Sequence, residues 1–372
     1  MLGELFIEYW RSHMFYETAH LMQNDYNCSL NYLFRNNFEL DHQFYSCDHI
    51  VDSYAIGMRR PILGIYFILV GAIVVIIYVP CLIVIAGSSD LMRSSCYKIM
   101  MLLGILDIFC ICTNSLATGF LGYVGATFCS YPRFIFVMGA VGCGCWMGTC
   151  ATCIILAINR CCDINHNLKI RAIFKDRNIY LVLAIPIIYT IYSVFFTKPL
   201  LFDSNYMSWF FYPGTGLDLN YYRNIAHTVN NCVVSVTTTS IYAYLCLLIR
   251  HKSRHSQSDA LSKTQKQVFV QSILICSFNA IAAYIYVYMQ FFYSPPLLIL
   301  IGQIAWQYSH GSVCIVYITM NRTIRRKVIN LLVPRIIRNR IRIGTFESSL
   351  RTTVSFIGGP NKITATSGSS NF

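Results

Sequence analysis

Few side chains in this sequence have a type and spacing that could do chemistry. The 17 cysteines include Cys150-Ala-Thr-Cys153, a spacing suited to dithiol exchange or zinc ligation. Asp107 lies inside a long apolar stretch, where a carboxyl group can relay protons, hold a cation or gather polar partners. Arg160 closes another such stretch. The chain has no His-Glu-x-x-His pattern, no phosphate-binding glycine loop, and no second acid to pair with Asp107 inside an apolar stretch. No catalytic residue, metal or cofactor is therefore expected, and the sequence argues against an enzyme.

The elements that must position these groups follow from composition. Of 372 residues, 55% are hydrophobic and 12% charged, with a mean hydropathy of +0.51. Soluble domains carry about 25% charged residues, so this chain cannot cover itself with polar surface in water. A helix crossing a bilayer needs roughly 20 largely apolar residues. Uncharged or nearly uncharged windows of that length predict spans at about 62–86, 97–126, 134–159, 178–197, 224–249, 267–293 and 297–320. The last two share one uncharged stretch that Ser294-Pro295-Pro296 divides, because proline removes a backbone donor and clashes with the preceding turn. The expected fold is an all-α integral membrane protein, a seven-transmembrane helix bundle over 61–320.

Placing the N-terminus outside and the C-terminus in the cytosol puts Arg11, Arg35, Arg59, Arg60, Arg133, Lys198 and Arg223 on the outer side. The other twenty-two of the 29 basic residues then face the cytosol, as the positive-inside rule demands. Arg59 and Arg60, just outside the first span, oppose it locally. A nucleic-acid partner is not expected, because the basic residues sit in short loops and a tail beside the bilayer. On this topology residues 1–60 form an outer segment whose first 45 or so remain unassigned. Asn27-Cys28-Ser29 within it is a glycosylation acceptor. Residues 321–332 predict an amphipathic helix on the inner leaflet with Ile324, Val328 and Leu331 on one face. Residues 333–372, rich in Arg and then in Ser, Thr and Gly, predict a disordered cytosolic tail.

Most cysteines, Cys150 and Cys153 included, fall within spans and are expected to act as small hydrophobes. Cys28, Cys47 and Cys129 face the oxidising side, which allows one disulfide with one thiol left over; Cys47–Cys129 is the preferred pair. Asp107 should face the bundle. Asn114 and Thr118 continue its helical face, and Thr149, Ser309, His310 or Ser312 are its candidate partners from spans three and seven, forming a hydrogen-bond hub or a switch. Ala140, Gly144 and Gly148 make a small-residue stripe suited to close helix packing. Trp209 and Phe210, with Phe211, are candidates for the lid of a ligand pocket or for an interfacial anchor.

Several stretches carry a resemblance when read together: Pro61-Ile-Leu-Gly-Ile-Tyr66, Tyr78-Val-Pro-Cys-Leu-Ile83, Ser95-Cys-Tyr-Lys-Ile-Met100 and Gly104-Ile-Leu-Asp107, then Phe128-Cys-Ser-Tyr-Pro132 and Leu156-Ala-Ile-Asn-Arg-Cys161, and finally Trp209-Phe-Phe-Tyr-Pro213 and Tyr317-Ile-Thr-Met-Asn-Arg-Thr-Ile-Arg-Arg326. Their order across residues 45 to 332 resembles the nematode serpentine chemoreceptors of class T, within the G-protein-coupled receptors. The resemblance implies a chemosensory receptor in the plasma membrane of a sensory neuron, with a small-molecule ligand, a heterotrimeric G protein and an arrestin-like protein at the tail as partners. It implies an activation switch at Arg160, with Asn159 where related receptors carry an acid, and at Tyr317, which is all that remains of their Asn-Pro-x-x-Tyr; the alternatives are an arginine that snorkels to mark the membrane boundary and an interfacial tyrosine. Related receptors bind sodium at the position of Asp107, but the span-seven asparagine that helps hold the ion there is absent. A transporter or an odorant-gated channel is the alternative; the chain shows no internal repeat for the first, and the charge asymmetry opposes the inverted topology of the second.

Overall fold

A computed structural model describes residues 26–48, 56–165, 167–214, 216–255 and 263–334. Among these residues seven long helices are present: α1 (Pro61–Ala86), α2 (Ser95–Val124), α3 (Pro132–Ile164), α4 (Asn178–Phe196), α5 (Ile225–His255), α6 (Lys263–Phe291) and α7 (Pro296–Met320). A shorter α8 (Arg322–Leu332) follows. Proline opens α1, α3 and α7 within their first turn, where its missing N–H has no intrahelical partner to lose. The expected spans are all helical. The largest displacements are at α3, which continues to Ile164, at α5, which continues to His255, and at α6, which begins at Lys263. Charged residues end the apolar window without ending the helix. Residues 335–372 and 1–25, which include the predicted tail and most of the unassigned segment, lie outside the described residues.

Five helices, α1, α2, α3, α4 and the α6 segment Val270–Phe291, are long and apolar enough by themselves to cross a bilayer. In α5 and α7 polar side chains dilute the apolar surface, and they are turned inward. Asn230, Asn231, Ser235 and Thr238 of α5 are buried, as are Gln303, Gln307, Ser309 and His310 of α7. The outward faces are apolar, with Ile62, Ile76, Leu181, Ile188 and Val236 all exposed. In water such surface would be an aggregation hazard; in lipid it is the solvated face. Helix α3 runs through the middle, with 78% of its most apolar window buried against 28% for α4. Its small-residue stripe permits that position. A Cβ on Gly144 would strike Val194 of α4, and one on Gly148 would strike Thr190.

Helix α2 is not regular. Cys112–Ala117 forms a π turn between two α segments, a widening that leaves backbone groups in need of partners. Side chains supply them. Thr118 Oγ1 donates to the Thr113 carbonyl (2.9 Å), and Gln303 Nε2 of α7 donates to the Asn114 carbonyl (3.0 Å).

One end of the bundle is capped by an antiparallel hairpin, β1 (Leu201–Asp203) and β2 (Ser208–Phe210), with Leu201 opposite Phe210 and Phe202 opposite Trp209. A Cβ on Gly139 of α3 would overlap the Leu200 carbonyl just before β1, so only glycine lets the hairpin sit so close. Over the same end lies the segment 26–48, with short helices Leu30–Arg35 and His42–Tyr45 capped by the Ser29 and Asp41 side chains. Cys47 and Cys129 form a disulfide with Cα atoms 5.7 Å apart, the preferred pair, and Tyr222 donates to the Phe44 carbonyl (2.5 Å). Cys28, the remaining thiol, is buried. Asn27 is half-buried, and Ser29 of its acceptor triplet is wholly buried with its hydroxyl donating to the Tyr26 carbonyl (2.6 Å). Opening the disulfide frees this segment, so Cys47→Ser with Cys129→Ser is expected to cost about 2–4 kcal/mol. Thermal melting of the detergent-solubilised chain with and without reductant checks this: the wild type should fall to the double variant's midpoint, and equal midpoints in all samples would contradict it.

Candidate functional site

Beneath the hairpin, α3, α5, α6 and α7 diverge around a cavity of about 530 Å³. Its walls are aromatic: Trp146, Trp209, Phe210, Phe211, Tyr212, Tyr222, Tyr286 and Trp306, with Asn220, Arg223, His227 and Gln290 as polar members. Three of the four tryptophans of the chain line it. Trp209 is turned inward and buried, donating to Thr118 Oγ1 (2.8 Å) and meeting Phe202 edge-on at 5.4 Å. It is therefore part of the cavity wall and not an anchor in the membrane interface, and Phe210 lies beside it half-buried. The indole of Trp146 donates to Asn231 Oδ1 (2.9 Å), whose amide nitrogen lies 3.4 and 3.5 Å from the two ring nitrogens of His227. Of these residues only Trp209, Phe210 and Phe211 stood out in the sequence; the others come from the segment before α5 and from α3, α5, α6 and α7, and only the scarcity of tryptophan could have marked Trp146 and Trp306.

Below the cavity floor lies the buried polar cluster around Asp107. Its Oδ1 is 2.6 Å from His310 Nδ1 and accepts from Thr149 Oγ1 (3.4 Å), while Oδ2 accepts from the Tyr78 hydroxyl (2.6 Å). Asp107, Thr149, His310 and Tyr78 are all buried. Four helices thus meet on one carboxyl group, each of whose oxygens has a protein hydrogen-bonding partner. Two predicted members belong elsewhere. Asn114 donates to the Trp306 carbonyl (3.2 Å) and accepts from Ser115 (2.9 Å), and the Ser312 hydroxyl is buried without a partner. Asn114 is seven residues from Asp107, about 10 Å along the axis, so a shared helix face did not mean a shared depth.

Ring contacts join the cavity to this cluster and carry on past it. Trp146 meets His310 edge-on at 5.8 Å, and Tyr78 meets Tyr317 edge-on at 5.9 Å. Tyr317 is wholly buried and donates to the Met100 carbonyl (3.2 Å), which rules out an interfacial position for it. The path reads cavity, Trp146, His310, Asp107, Tyr78, Tyr317. Tyr78, which links Asp107 to Tyr317, was not singled out as a functional residue in the sequence, being one of 26 tyrosines.

At the far end Arg160 Nη1 pairs with Asp163 Oδ2 at 2.7 Å, with side-chain exposures of 8% and 45%. Asn159 offers no charge, so the pairing acid is instead one turn further along α3. Arg160 Nε and Nη2 are buried and unpartnered, so the side chain does not snorkel to the boundary. Asn159 Nδ2 donates to Ser95 Oγ (3.1 Å) at the start of α2. Just inward, the Tyr242 hydroxyl donates to the Ser272 carbonyl (3.0 Å), and Cys276 Sγ donates to the Cys153 carbonyl (3.6 Å), tying α5, α6 and α3. Cys150 Sγ faces Asn279 Oδ1 at 3.6 Å, so the two cysteines of the Cys-x-x-Cys spacing serve as separate helix contacts. Helix α8 buries Ile324 and Val328, but Leu331, expected on the same face, is exposed. Lys327 Nζ reaches Ser88 Oγ (2.7 Å).

Comparison with known proteins places this geometry. The family profile described as "Serpentine type 7TM GPCR chemoreceptor Srt" matches residues 28–341, beginning earlier than residue 45, where the sequence resemblance began. The Caenorhabditis elegans protein "Serpentine receptor class T-55" is 28% identical over 280 residues, covering 75% of this chain and 77% of that protein. Among solved structures, squid rhodopsin matches with a TM-score of 0.52 at 12% identity, over 77% of this chain and 91% of that one. That last likeness concerns the fold.

Proposed function

The chain belongs to the serpentine 7TM GPCR chemoreceptor family Srt, and we propose from that premise that it is a plasma-membrane chemosensory receptor that binds a small-molecule cue in the aromatic cavity and activates a heterotrimeric G protein. The observation that carries the reading is the continuous column from Trp146 through His310 and Asp107 to Tyr317. A ligand that moves the Trp146 indole changes a contact that ends at the opposite half of the bundle. A cavity of about 530 Å³ with mostly aromatic walls and a few polar groups is of the size and character that small ligands occupy. Such coupling requires only that the ligand favour one of two bundle arrangements over the other.

The hairpin end faces outward in this reading. The Cys47–Cys129 disulfide lies there, as an oxidising compartment requires, and the basic loops and α8 lie at the other end on the cytosolic side. The α8 cations Arg322, Arg325 and Arg326 then sit where anionic lipid attracts them. The tail beyond residue 334, with its serines and threonines, offers kinase acceptors and an arrestin-like partner a place to bind.

The test is a cavity plug. Met289 lines the cavity from α6, and Met289→Trp fills part of it. In cells carrying the receptor and a reporter G protein, a cue found by screening should act on the wild type and lose at least about tenfold in potency on the variant, with surface expression retained. An unchanged response would show that the cue is read elsewhere.

A further inference from the structure

We infer that the cavity selects non-cationic aromatic molecules carrying a hydrogen-bond acceptor, such as a carbonyl group, and that His227 is the residue that reads the acceptor. The inference rests on the cavity being the cue-binding site. His227 is buried between the rings of Phe211 (5.1 Å) and Tyr286 (6.1 Å) and lines the cavity. A neutral imidazole has one donor nitrogen and one acceptor nitrogen. Among the described residues the only hydrogen-bond donor placed against the ring is the Asn231 amide, whose own carbonyl is engaged by the Trp146 indole. That amide takes the acceptor nitrogen. Among the described residues the ring makes no side-chain hydrogen bond except to Asn231, which leaves the remaining N–H to be matched, and a buried donor left unmatched costs about 1–3 kcal/mol. The cavity is the place from which a ligand can match it.

Charge points the same way. Among the described residues no acidic side chain lines the cavity, whereas Arg223 does. The nearest acid along the chain, Asp218, has its carboxylate occupied by the Asn220 backbone N–H (3.0 Å) and side-chain amide (3.4 Å). An ammonium ligand would find aromatic faces but no counter-charge, and a guanidinium at the rim. An aromatic ring bearing a carbonyl group can stack among the tryptophans and accept from His227, and it does not need an acid.

Three probes of similar size separate the possibilities: acetophenone, ethylbenzene and the phenethylammonium ion. Saturation-transfer NMR on the full-length receptor in phosphatidylcholine nanodiscs, with empty nanodiscs subtracted, gives their affinities. Acetophenone is expected to bind about tenfold more tightly than ethylbenzene, the worth of one buried hydrogen bond, and phenethylammonium most weakly. His227→Phe, which keeps the ring and its packing, should equalise the two neutral probes, while His227→Gln, which keeps a donor, should preserve the preference. The wild-type order alone tests the inference even if a variant fails to fold. Phenethylammonium binding as well as acetophenone, or an unchanged preference in His227→Phe, overturns it and leaves the cavity reading intact. No saturable binding by any probe overturns the cavity reading and the inference with it.

Discussion

Asp107→Ala is expected to lower the unfolding free energy of the solubilised receptor by about 3 kcal/mol, the low end for leaving three buried polar groups unmatched at about 1–3 kcal/mol each. The low end applies because helices unfolded in detergent still find polar partners for one another. The size of the effect comes from what stays behind. Asp107 is fully buried and receives the Tyr78 and Thr149 hydroxyls while its other close neighbour is the His310 ring. Alanine leaves all three without that partner, in a layer where α1, α2, α3 and α7 meet and water is scarce. His310 Nε2 already has no partner, so the ring would lose the one it has. Asp107→Asn keeps one acceptor oxygen and should cost less than alanine. Denaturant or thermal melting of purified protein decides the matter: an alanine variant within about 0.5 kcal/mol of wild type would mean that the cluster does not hold the helices together.

The elements were easier to read in the sequence than the site, for reasons visible in particular residues. Each span must be almost free of charge over about 20 residues, a requirement that leaves a mark in the sequence wherever the helix lies in the bundle. The π turn at Cys112–Ala117 left no such mark. It persists because Gln303 and Gln307 arrive from α7, nearly two hundred residues later, to bond the Asn114 carbonyl and the Ser115 hydroxyl. Asp107 stood out because it is the one acid in a span, and its partners Thr149 and His310 followed from their polarity within apolar helices. Tyr78 did not stand out, since tyrosine is common here and an apolar helix hides the one that points inward. Asn114 and Ser312 were grouped with Asp107 by helical face, but depth along the axis separated Asn114, and the Ser312 hydroxyl meets no partner. The cavity was least legible. Trp146, His227, Tyr286 and Trp306 belong to four helices, and no periodicity within one helix records what its neighbours bring.

Arg160→Ala is expected to reduce cue-stimulated nucleotide exchange roughly thirtyfold or more, to near the unstimulated rate, while leaving cue affinity within about threefold; a guanidinium lost from a buried polar contact is worth about 2 kcal/mol or above. The argument is one of poise. Arg160 is buried, with one contact at 2.7 Å to an acid that is 45% exposed, and with two of its nitrogens unmatched. A cation held this way gains whenever the surrounding helices part and offer it water or the acceptors of a docking protein. The ties that keep them together lie beside it and are few: the Tyr242 hydroxyl against the Ser272 carbonyl and Cys276 Sγ, and Cys276 Sγ against the Cys153 carbonyl. If the ion pair with Asp163 is what restrains the arginine, then Asp163→Asn should act in the opposite direction to Arg160→Ala and raise exchange without any cue. A merely structural role predicts that both variants lose activity together. Exchange of a labelled, non-hydrolysable guanine nucleotide in membranes containing receptor and G protein distinguishes the two. Full activity in Arg160→Ala, or loss of activity in Asp163→Asn at normal surface expression, would remove Arg160 from the switch.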